Sequence, residues 1–234
     1  MVRMNQTSSA RPYRGVEAAQ RLAARRYRLL AAGLDLLGAE EQNISAVTVR
    51  GVCRQAGLAA RYFYESFDDK DQFVGGVFDW VVAGLAATTQ AAVAAVPAHE
   101  QTRAGMANIV QSITRDARIG RLLFSTQLAD PVIVRKRAES SALFAMLSGQ
   151  HVGNALHVPA NERIKAAAHF VVGGVGQTIS AWLAGDVALE PDQLVDQLAS
   201  LLDELAEPNL YRLKETAAGA TAASRDPAAT SASW

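Results

Sequence analysis

Apolar residues recur at three- and four-residue spacing along most of this 234-residue chain. The segment from Leu22 to Leu37 is typical, because its leucines share one helical face on which Arg26 is the polar exception. Such spacing predicts amphipathic α-helices. Strand-like alternation and Asn-Gly or Asp-Gly hairpin signals are absent from the sequence. The pattern therefore predicts an all-α protein.

Glycine, proline and polar clusters divide the helical pattern into about nine helices, three short ones followed by a longer set. The breaks fall at Gly38–Val47, Gly57, Phe67–Asp69, Pro97, Asp130–Pro131, Pro159, Gly185–Pro191 and Pro208. Residues 1–15 and 215–234 are small and polar, with almost nothing to bury. We expect a disordered arm and a disordered tail there.

Charge is divided unevenly along the chain. Residues 1–64 hold ten arginines and no lysine against four carboxylates, a net charge of +6, and the other 170 residues carry −6. A basic head on a neutral protein indicates a polyanionic partner. A solvated basic face would explain the same asymmetry.

The sequence contains no motif typical of an enzyme active site or a metal site. The single cysteine excludes a disulfide framework and a multi-cysteine metal site, and it fits a reducing, cytoplasmic compartment. The four histidines form neither an HExxH motif nor an i, i+4 pair, and neither GxSxG nor a phosphate-binding loop occurs. We therefore expect no catalytic residue, no metal ion and no cofactor.

Three uncharged stretches are long enough to span a membrane, at Trp80–His99, Ser140–Asn161 and Ala166–Gly185. Each contains polar side chains, the first two contain proline, and the third contains four glycines. Buried helices of a soluble bundle explain them better. We expect no membrane partner.

The segment at 48–70, TVRGVCRQAGLAARYFYESFDDK, is the most informative part of the chain. Thr48 is suited to cap a short helix with an apolar stripe, and Gly57 can end it. A second short helix, from about Ala59 to Phe67, would bury Phe63 and Phe67. Two short helices joined by a glycine-containing turn form a helix-turn-helix, although an ordinary helical corner has the same spacing.

Polar side chains on the second short helix favour a DNA-binding role. Arg61, Tyr62 and Tyr64 lie on the faces that the two phenylalanines leave free. Tyrosine hydroxyl and arginine guanidinium groups reach phosphate oxygens, and arginine also reads guanine. Lys70 follows near the start of the next helix, where backbone N–H groups can hold a phosphate.

The chain resembles the TetR family of transcriptional repressors in two segments. These are RRYRLLAAGLDLLG at 25–38 and TVRGVCRQAGLAARYFYESFDDKDQF at 48–73. The resemblance implies a DNA-binding head at 16–69 and a ligand-binding and dimerisation domain at 70–214. The candidate DNA-binding residues are Thr48, Arg50, Ala60, Arg61, Tyr62, Tyr64 and Lys70. The sequence departs from the family pattern at Ala59, where a capping Ser or Thr is usual, at Arg61, where Gly is common, and at Ser66, where His is usual.

Aromatic and methionine side chains near isolated polar groups suggest a pocket for a small, largely apolar ligand. The candidate lining residues are Trp80, Met106, Phe124, Phe144, His151, Phe170 and Gln177. For any single one of them plain core packing is the better explanation, and a pocket among these helices is expected more than any one lining residue.

Two late apolar stripes, at about 162–184 and 192–205, indicate the faces of an intersubunit four-helix bundle, or alternatively an internal hairpin. The candidate dimer residues are Val171, Val175, Ile179, Trp182, Leu194, Leu198 and Leu201. The expected protein is thus a homodimeric regulator that a ligand releases from a pseudo-palindromic double-stranded DNA operator. The alternative is a helical small-molecule-binding or scaffold protein without a DNA role.

Overall fold

The computed structural model of the protein describes residues 13–40, 47–156 and 161–205. Within these ranges the chain forms nine α-helices and no strand, which confirms the all-α prediction. The helices are α1 (Tyr13–Leu37), α2 (Val49–Ala56), α3 (Ala60–Tyr64), α4 (Lys70–Ala94), α5 (Gln101–Arg115), α6 (Ala117–Phe124), α7 (Pro131–Leu156), α8 (Glu162–Ala184) and α9 (Pro191–Glu204). A single 3₁₀ turn at Ala98–Glu100 precedes α5.

Helix α1 begins at Tyr13, so the last three residues of the predicted disordered arm are helical. The rest of that arm and the predicted tail at 215–234 lie outside the described residues. The stripes predicted at about 162–184 and 192–205 agree with α8 and α9 to within one residue.

The second helix is capped at both ends by its own sequence. The hydroxyl of Thr48 accepts a hydrogen bond from the backbone N–H of Gly51 at 3.0 Å. Gly57 ends the helix with a φ of 63°, a left-handed conformation that costs glycine little. Both caps lie where the sequence predicts them.

The third helix is shorter than the predicted span of Ala59 to Phe67. Only Ala60–Tyr64 is α-helical, and Ala59 provides no side-chain cap. The backbone N–H of Phe67 still bonds to the carbonyl of Phe63 at 2.9 Å, so the chain continues as a turn. A helix this short draws its stability from packing.

Buried side chains form two clusters. The first joins α1, α2 and α3 to the N-terminal half of α4 and continues into α6 and α7 through Leu122, Val132 and Ile133. The second joins α5 to α8 and α9. The first cluster crosses the predicted domain boundary at 69–70, so the N-terminal head shares its core with the rest of the chain.

Helix α6 belongs to the body, which comprises α4 to α9, and it lies against the head, which comprises α1 to α3. Side chains of both parts hold it in place. Arg118 forms ion pairs with Asp35 of α1 and with Asp116, and its hydrogen bond lowers the pKa of that second carboxyl. Arg121 donates to the backbone carbonyl of Gly38 at 3.0 Å.

The carbonyl end of α6 receives two further donors from the body. Arg137 of α7 donates to the carbonyl of Leu122 at 2.7 Å, and its burial lowers the pKa of the guanidinium. Ser180 of α8 donates to the carbonyl of Phe124 at 2.9 Å. Carbonyls at a helix end have no partner within the helix, so these donors satisfy them and tie α7 and α8 to α6.

Among the described residues, α4 is the one helix long and apolar enough to cross a membrane by length and composition. Its N-terminal half packs in the first cluster through Phe73, Val77 and Phe78. Core helices of soluble proteins meet the same criterion, so the observation adds no support for a membrane span.

Gly38 touches α6 so closely that a larger residue does not fit. A Cβ built at this position would lie 2.5 Å from the Cβ and 2.7 Å from the Cα of Arg118. We expect Gly38→Ala to lower the free energy of unfolding by about 1–3 kcal/mol, because α1 and α6 must separate. Urea denaturation followed by circular dichroism measures this change.

Gly84 of α4 provides the control, because nothing lies within 4 Å of a Cβ built there. We expect Gly84→Ala to raise the free energy of unfolding by about 0.5–1 kcal/mol, as alanine does in a helix interior. Equal stability of Gly38→Ala and the parent would contradict the tight contact.

Candidate nucleic-acid interface

Helix α3 presents a polar face to solvent and an aromatic face to the core. Phe63 is buried, whereas Arg61 is exposed and Tyr64 is 60% exposed. The Phe63 ring packs on Phe67 and Phe73 with centroids 5.6 and 5.3 Å away. This packing fixes which side of α3 points outward.

Arg61 and Tyr62 are in contact with each other. The Nη2 of Arg61 donates to the Tyr62 hydroxyl at 2.9 Å, and its Cζ lies 4.7 Å from the centroid of the Tyr62 ring. The hydrogen bond to Tyr62 raises the pKa of Arg61. The guanidinium therefore keeps its charge at the N-terminal end of α3.

Three arginines of α1 hold α2 and α3 in place. Arg25 forms an ion pair with Glu65 at 2.9 Å, and Arg26 donates to the carbonyl of Ser66 at 2.7 Å. Arg28 donates to the carbonyl of Ala56 at the end of α2, at 2.6 Å. Arg28 thus satisfies a carbonyl at the end of α2, Arg26 satisfies one in the turn after α3, and Arg25 ties the residue that follows α3 to α1.

Some of the arginines that make the head basic therefore bind groups of their own chain. The sequence did not distinguish them from arginines available to DNA. The signal that could have revealed it is the position of Arg26 on an otherwise apolar face of α1. A cation there is turned toward neighbouring elements, where carbonyls at helix ends accept its hydrogen bonds.

Two arginines of α2 remain directed to solvent. Arg50 and Arg54 are exposed and lie four residues apart, and their side chains form no hydrogen bond or ion pair with the described residues. Residues spaced by four share one helix face. Sequence reasoning selected Arg50 and missed Arg54, although the i, i+4 spacing was a usable signal.

None of the seven candidate DNA-binding residues is buried. Thr48, Arg50, Ala60, Arg61 and Tyr64 are exposed, whereas Tyr62 and Lys70 are half-buried. The Thr48 hydroxyl already serves as the cap of α2, and Lys70 is the first residue of α4, directly after its capping residue Asp69. The candidates therefore surround the exposed side of α2, α3 and the start of α4.

The six candidate ligand residues whose side chains the structure describes do not come together. Met106 and Phe124 pack beside the second cluster, whereas Trp80 packs beside the first cluster and lies 5.6 Å from the Tyr27 ring. Phe170 is 68% exposed on α8, where Gln177 is also exposed, and Phe144 is exposed on α7. The His151 side chain lies outside the described residues. The described candidates therefore do not line one pocket within a single chain.

An open cleft of about 460 Å³ lies between α1, α4 and α7. Its walls are mostly polar and include Arg26, Asp79 and Lys136, and none of the seven candidate ligand residues lines it. Lys136 pairs with Asp79 at 2.9 Å across the cleft, and this contact raises the pKa of the lysine. The cleft is polar, unlike the predicted apolar pocket.

The candidate dimer residues are also corrected in part. Ile179, Leu194 and Leu198 are buried within one chain, in the cluster that joins α5 to α8 and α9. Val175 and Trp182 pack against that cluster, and Trp182 donates to the carbonyl of Leu189 at 2.8 Å. Ile179, Leu194 and Leu198 therefore offer almost no area to a second copy, whereas Val175 and Trp182 are half-buried.

The last two candidate dimer residues, Val171 and Leu201, differ in their exposure. Val171 is half-buried, whereas Leu201 is exposed. Exposed apolar side chains also lie on α7 and α8. This α7–α8 surface consists of Leu143, Phe144, Met146, Leu147 and Phe170, all of them exposed.

Glycines follow Phe170 on α8. Nothing lies within 4 Å of a Cβ built at Gly173, Gly174 or Gly176, so they border open space. Exposed apolar patches of this kind are typical of interaction sites.

Nothing among the described residues resembles a metal or nucleophile site. No group of three His, Cys, Asp or Glu side chains there could hold a metal ion. Cys53 is buried in the head, and burial raises the pKa of its thiol, so the reactive thiolate is disfavoured.

No protein-family model and no curated protein sequence matches the chain. Solved structures do match its fold. The fatty acid degradation regulator FadR from Bacillus halodurans is 13% identical, with a TM-score of 0.62 over 76% of this chain and 94% of that one. FadR from Bacillus subtilis, in complex with stearoyl-CoA, is 14% identical, with a TM-score of 0.56 over 75% and 96%. A TetR-like transcriptional regulator from Rhodococcus sp. RHA1 is 18% identical, with a TM-score of 0.55 over 79% and 94%.

These similarities show that the chain has the fold of TetR-like regulators, a helix-turn-helix head on a helical body.

Arg28 gives a direct test of the internal support. We expect Arg28→Ala to lower the free energy of unfolding by roughly 1–3 kcal/mol, because the Ala56 carbonyl loses a charge-assisted hydrogen bond. Thermal or urea unfolding measures the change. Arg21→Ala is the matched control, since Arg21 is exposed and only approaches Glu17 at 3.7 Å. Equal effects of the two substitutions would contradict the assignment.

Proposed function

We propose that the protein is a DNA-binding transcriptional regulator. The observation that carries the proposal is the α2–turn–α3 unit, which turns Arg61 and Tyr64 outward while Phe63 anchors it to the core. In this proposal residues 16–69 form the DNA-binding domain and residues 70–214 form the ligand-binding and dimerisation domain. The fold similarity to solved transcriptional regulators supports it.

The proposed DNA contacts divide into two classes. Arg50, Arg54, Tyr64 and Lys70 contact phosphates, because each has a donor near a helix terminus or on the exposed face of α2. Arg61 and Tyr62 reach base edges from the N-terminal end of α3, which enters the major groove. Phosphate contacts set the position of the head, and base contacts set its sequence preference.

A second copy of the chain is the proposed occupant of the α7–α8 surface. The α8 segment from 166 to 185 carries no charged residue, yet much of it faces solvent, and Phe170 lies beside glycines that leave room for a partner's side chain. A two-fold axis through this region would place each Phe170 over the partner's glycines. Two heads then meet two half-sites of a pseudo-palindromic operator.

The regulatory part of the proposal is a repressor that a small, largely apolar ligand releases from DNA in the cytoplasm. One neighbour of the fold was solved with stearoyl-CoA, which supports an effector with a large apolar portion. Release requires that the ligand bind more tightly to a form whose heads are wrongly spaced for DNA.

DNA binding is tested with DNA flanking the protein's own gene, across a series of salt concentrations. We expect steep weakening of binding with salt, and we expect Arg54→Ala to reduce the salt slope by about one for operator and random DNA alike.

Arg61→Ala should weaken operator binding by roughly 1–3 kcal/mol and relax the base preference at one position per half-site. Arg21→Ala is the charge-matched control and should leave both quantities unchanged. Salt-independent binding, or none, would favour a helical ligand-binding or scaffold protein without a DNA role.

Phe170→Glu tests the proposed dimer. Because Phe170 is exposed in the single chain, we expect the variant to remain helical by circular dichroism but to sediment as a monomer. Its operator affinity should fall sharply, since one head makes half of the contacts. Leu198→Glu is the contrasting variant: Leu198 is buried by its own chain, so this charge should unfold the protein. A dimeric Phe170→Glu variant would place the interface elsewhere.

A further inference from the structure

Tyr62 lies where α1 and α3 meet, and two guanidinium groups lie over its ring. The Cζ atoms of Arg25 and Arg61 are 4.5 and 4.7 Å from the ring centroid. Arg61 also donates to the Tyr62 hydroxyl at 2.9 Å. The position of Arg61 therefore depends on the position of the Tyr62 ring.

The Arg25 guanidinium that stacks on Tyr62 is also held by an ion pair with Glu65. Its Nη2 pairs with Glu65 at 2.9 Å, directly after the last residue of α3. The Arg25 side chain is only 26% exposed, and its Nε is enclosed without a hydrogen-bond partner among the described residues. Arg25 therefore faces the inside of the head, unlike the exposed Arg50 and Arg54.

Helix α3 does not fix the Tyr62 ring by itself. It has five residues and no side-chain cap at Ala59. Apart from the backbone hydrogen bond that the Tyr62 N–H donates to the Ala59 carbonyl at 2.9 Å, its first turn depends on packing and on contacts from α1. A guanidinium that stacks on the ring and pairs with the residue at the end of α3 restricts both ends of the helix.

We propose that Arg25 is a specificity-determining positioning residue. It holds Tyr62 so that Tyr62 and Arg61 contact the DNA bases as one unit, and it does not touch DNA itself. This inference rests on the proposed function, because it assigns a role within the same DNA-binding head.

The test compares Arg25→Ala, Arg25→Lys and Glu65→Gln with the parent and with Arg21→Ala as a charge-matched control on the same helix. Binding-site selection gives each consensus, and titrations with operator and random DNA at several salt concentrations give affinities and salt slopes. We expect Arg25→Ala to weaken operator binding about tenfold and random-DNA binding less than about twofold. Its consensus should relax at the base position that Arg61→Ala also relaxes, with the salt slope unchanged.

Two further comparisons separate positioning from general support. Lysine keeps the charge opposite Glu65 but lacks the planar guanidinium that stacks on an aromatic ring, so we expect Arg25→Lys to retain thermal stability but not the consensus. Combined with Arg61→Ala, Arg25→Ala should add no further loss of operator affinity, because the two residues act through one contact.

Four outcomes overturn the inference. A salt slope reduced by about one with an unchanged consensus would make Arg25 a phosphate contact. An equal loss for operator and random DNA together with lower thermal stability would make it a structural residue only. If Arg25→Ala does not fold, Glu65→Gln decides: relaxation at the same base position supports the inference, and an unchanged consensus overturns it. A parent protein that selects no DNA sequence would refute the proposed function itself, and the inference with it.

Discussion

The contact among Phe63, Phe67 and Phe73 is the interaction on which the head depends. The rings of α3, the following turn and α4 meet with centroids 5.1–5.6 Å apart, and all three side chains are buried. A five-residue helix has no appreciable stability in water, so this packing is what makes α3 a helix in a defined orientation. The outward direction of Arg61 and Tyr64 follows from it. The α1 arginines then add hydrogen bonds at the helix ends, where packing alone leaves carbonyls without partners.

The body is connected to this head through shared packing and through α6. The first buried cluster runs from α1 to α7 without a break at the predicted domain boundary. Donors from α7 and α8 reach the carbonyl end of α6, while Asp35 and the carbonyl of Gly38 hold it to α1. A shift of α6 therefore changes contacts on both sides, since each of these hydrogen bonds has a geometry that tolerates little displacement. This arrangement is a physical route by which an event in the body can alter the orientation of the head.

Sequence reasoning worked best where local chemistry determines structure. Thr48 and Gly57 mark the ends of α2 because capping and positive φ are local requirements, and the apolar periodicity predicted the bounds of α8 and α9.

Sequence reasoning was wrong where an apolar side chain can pack either within its own chain or against a second copy. Leu194 and Leu198 form a stripe that could face a partner or α5, and only the three-dimensional path of the chain decides that they are internal. Phe170 and Trp80 were grouped as pocket residues by composition, yet they lie on different parts of the fold. Arg25 and Arg28 were counted with the basic charge, because a sequence does not reveal which cations bind carbonyls of their own chain.

The missing cap at Ala59 has a consequence for how such a head changes over generations. A recognition helix that carries its own cap must conserve that residue, and the cap often doubles as a contact to the DNA backbone. Here the orientation of α3 is set by residues of α1 and α4, while Ala60, at its exposed start, takes no part in either buried cluster. Under the proposed function, substitutions at that position alter the surface offered to DNA without removing a core contact or a cap. If the head binds DNA as proposed, a duplicated copy built in this way can diverge toward a new target sequence while its stability stays nearly constant.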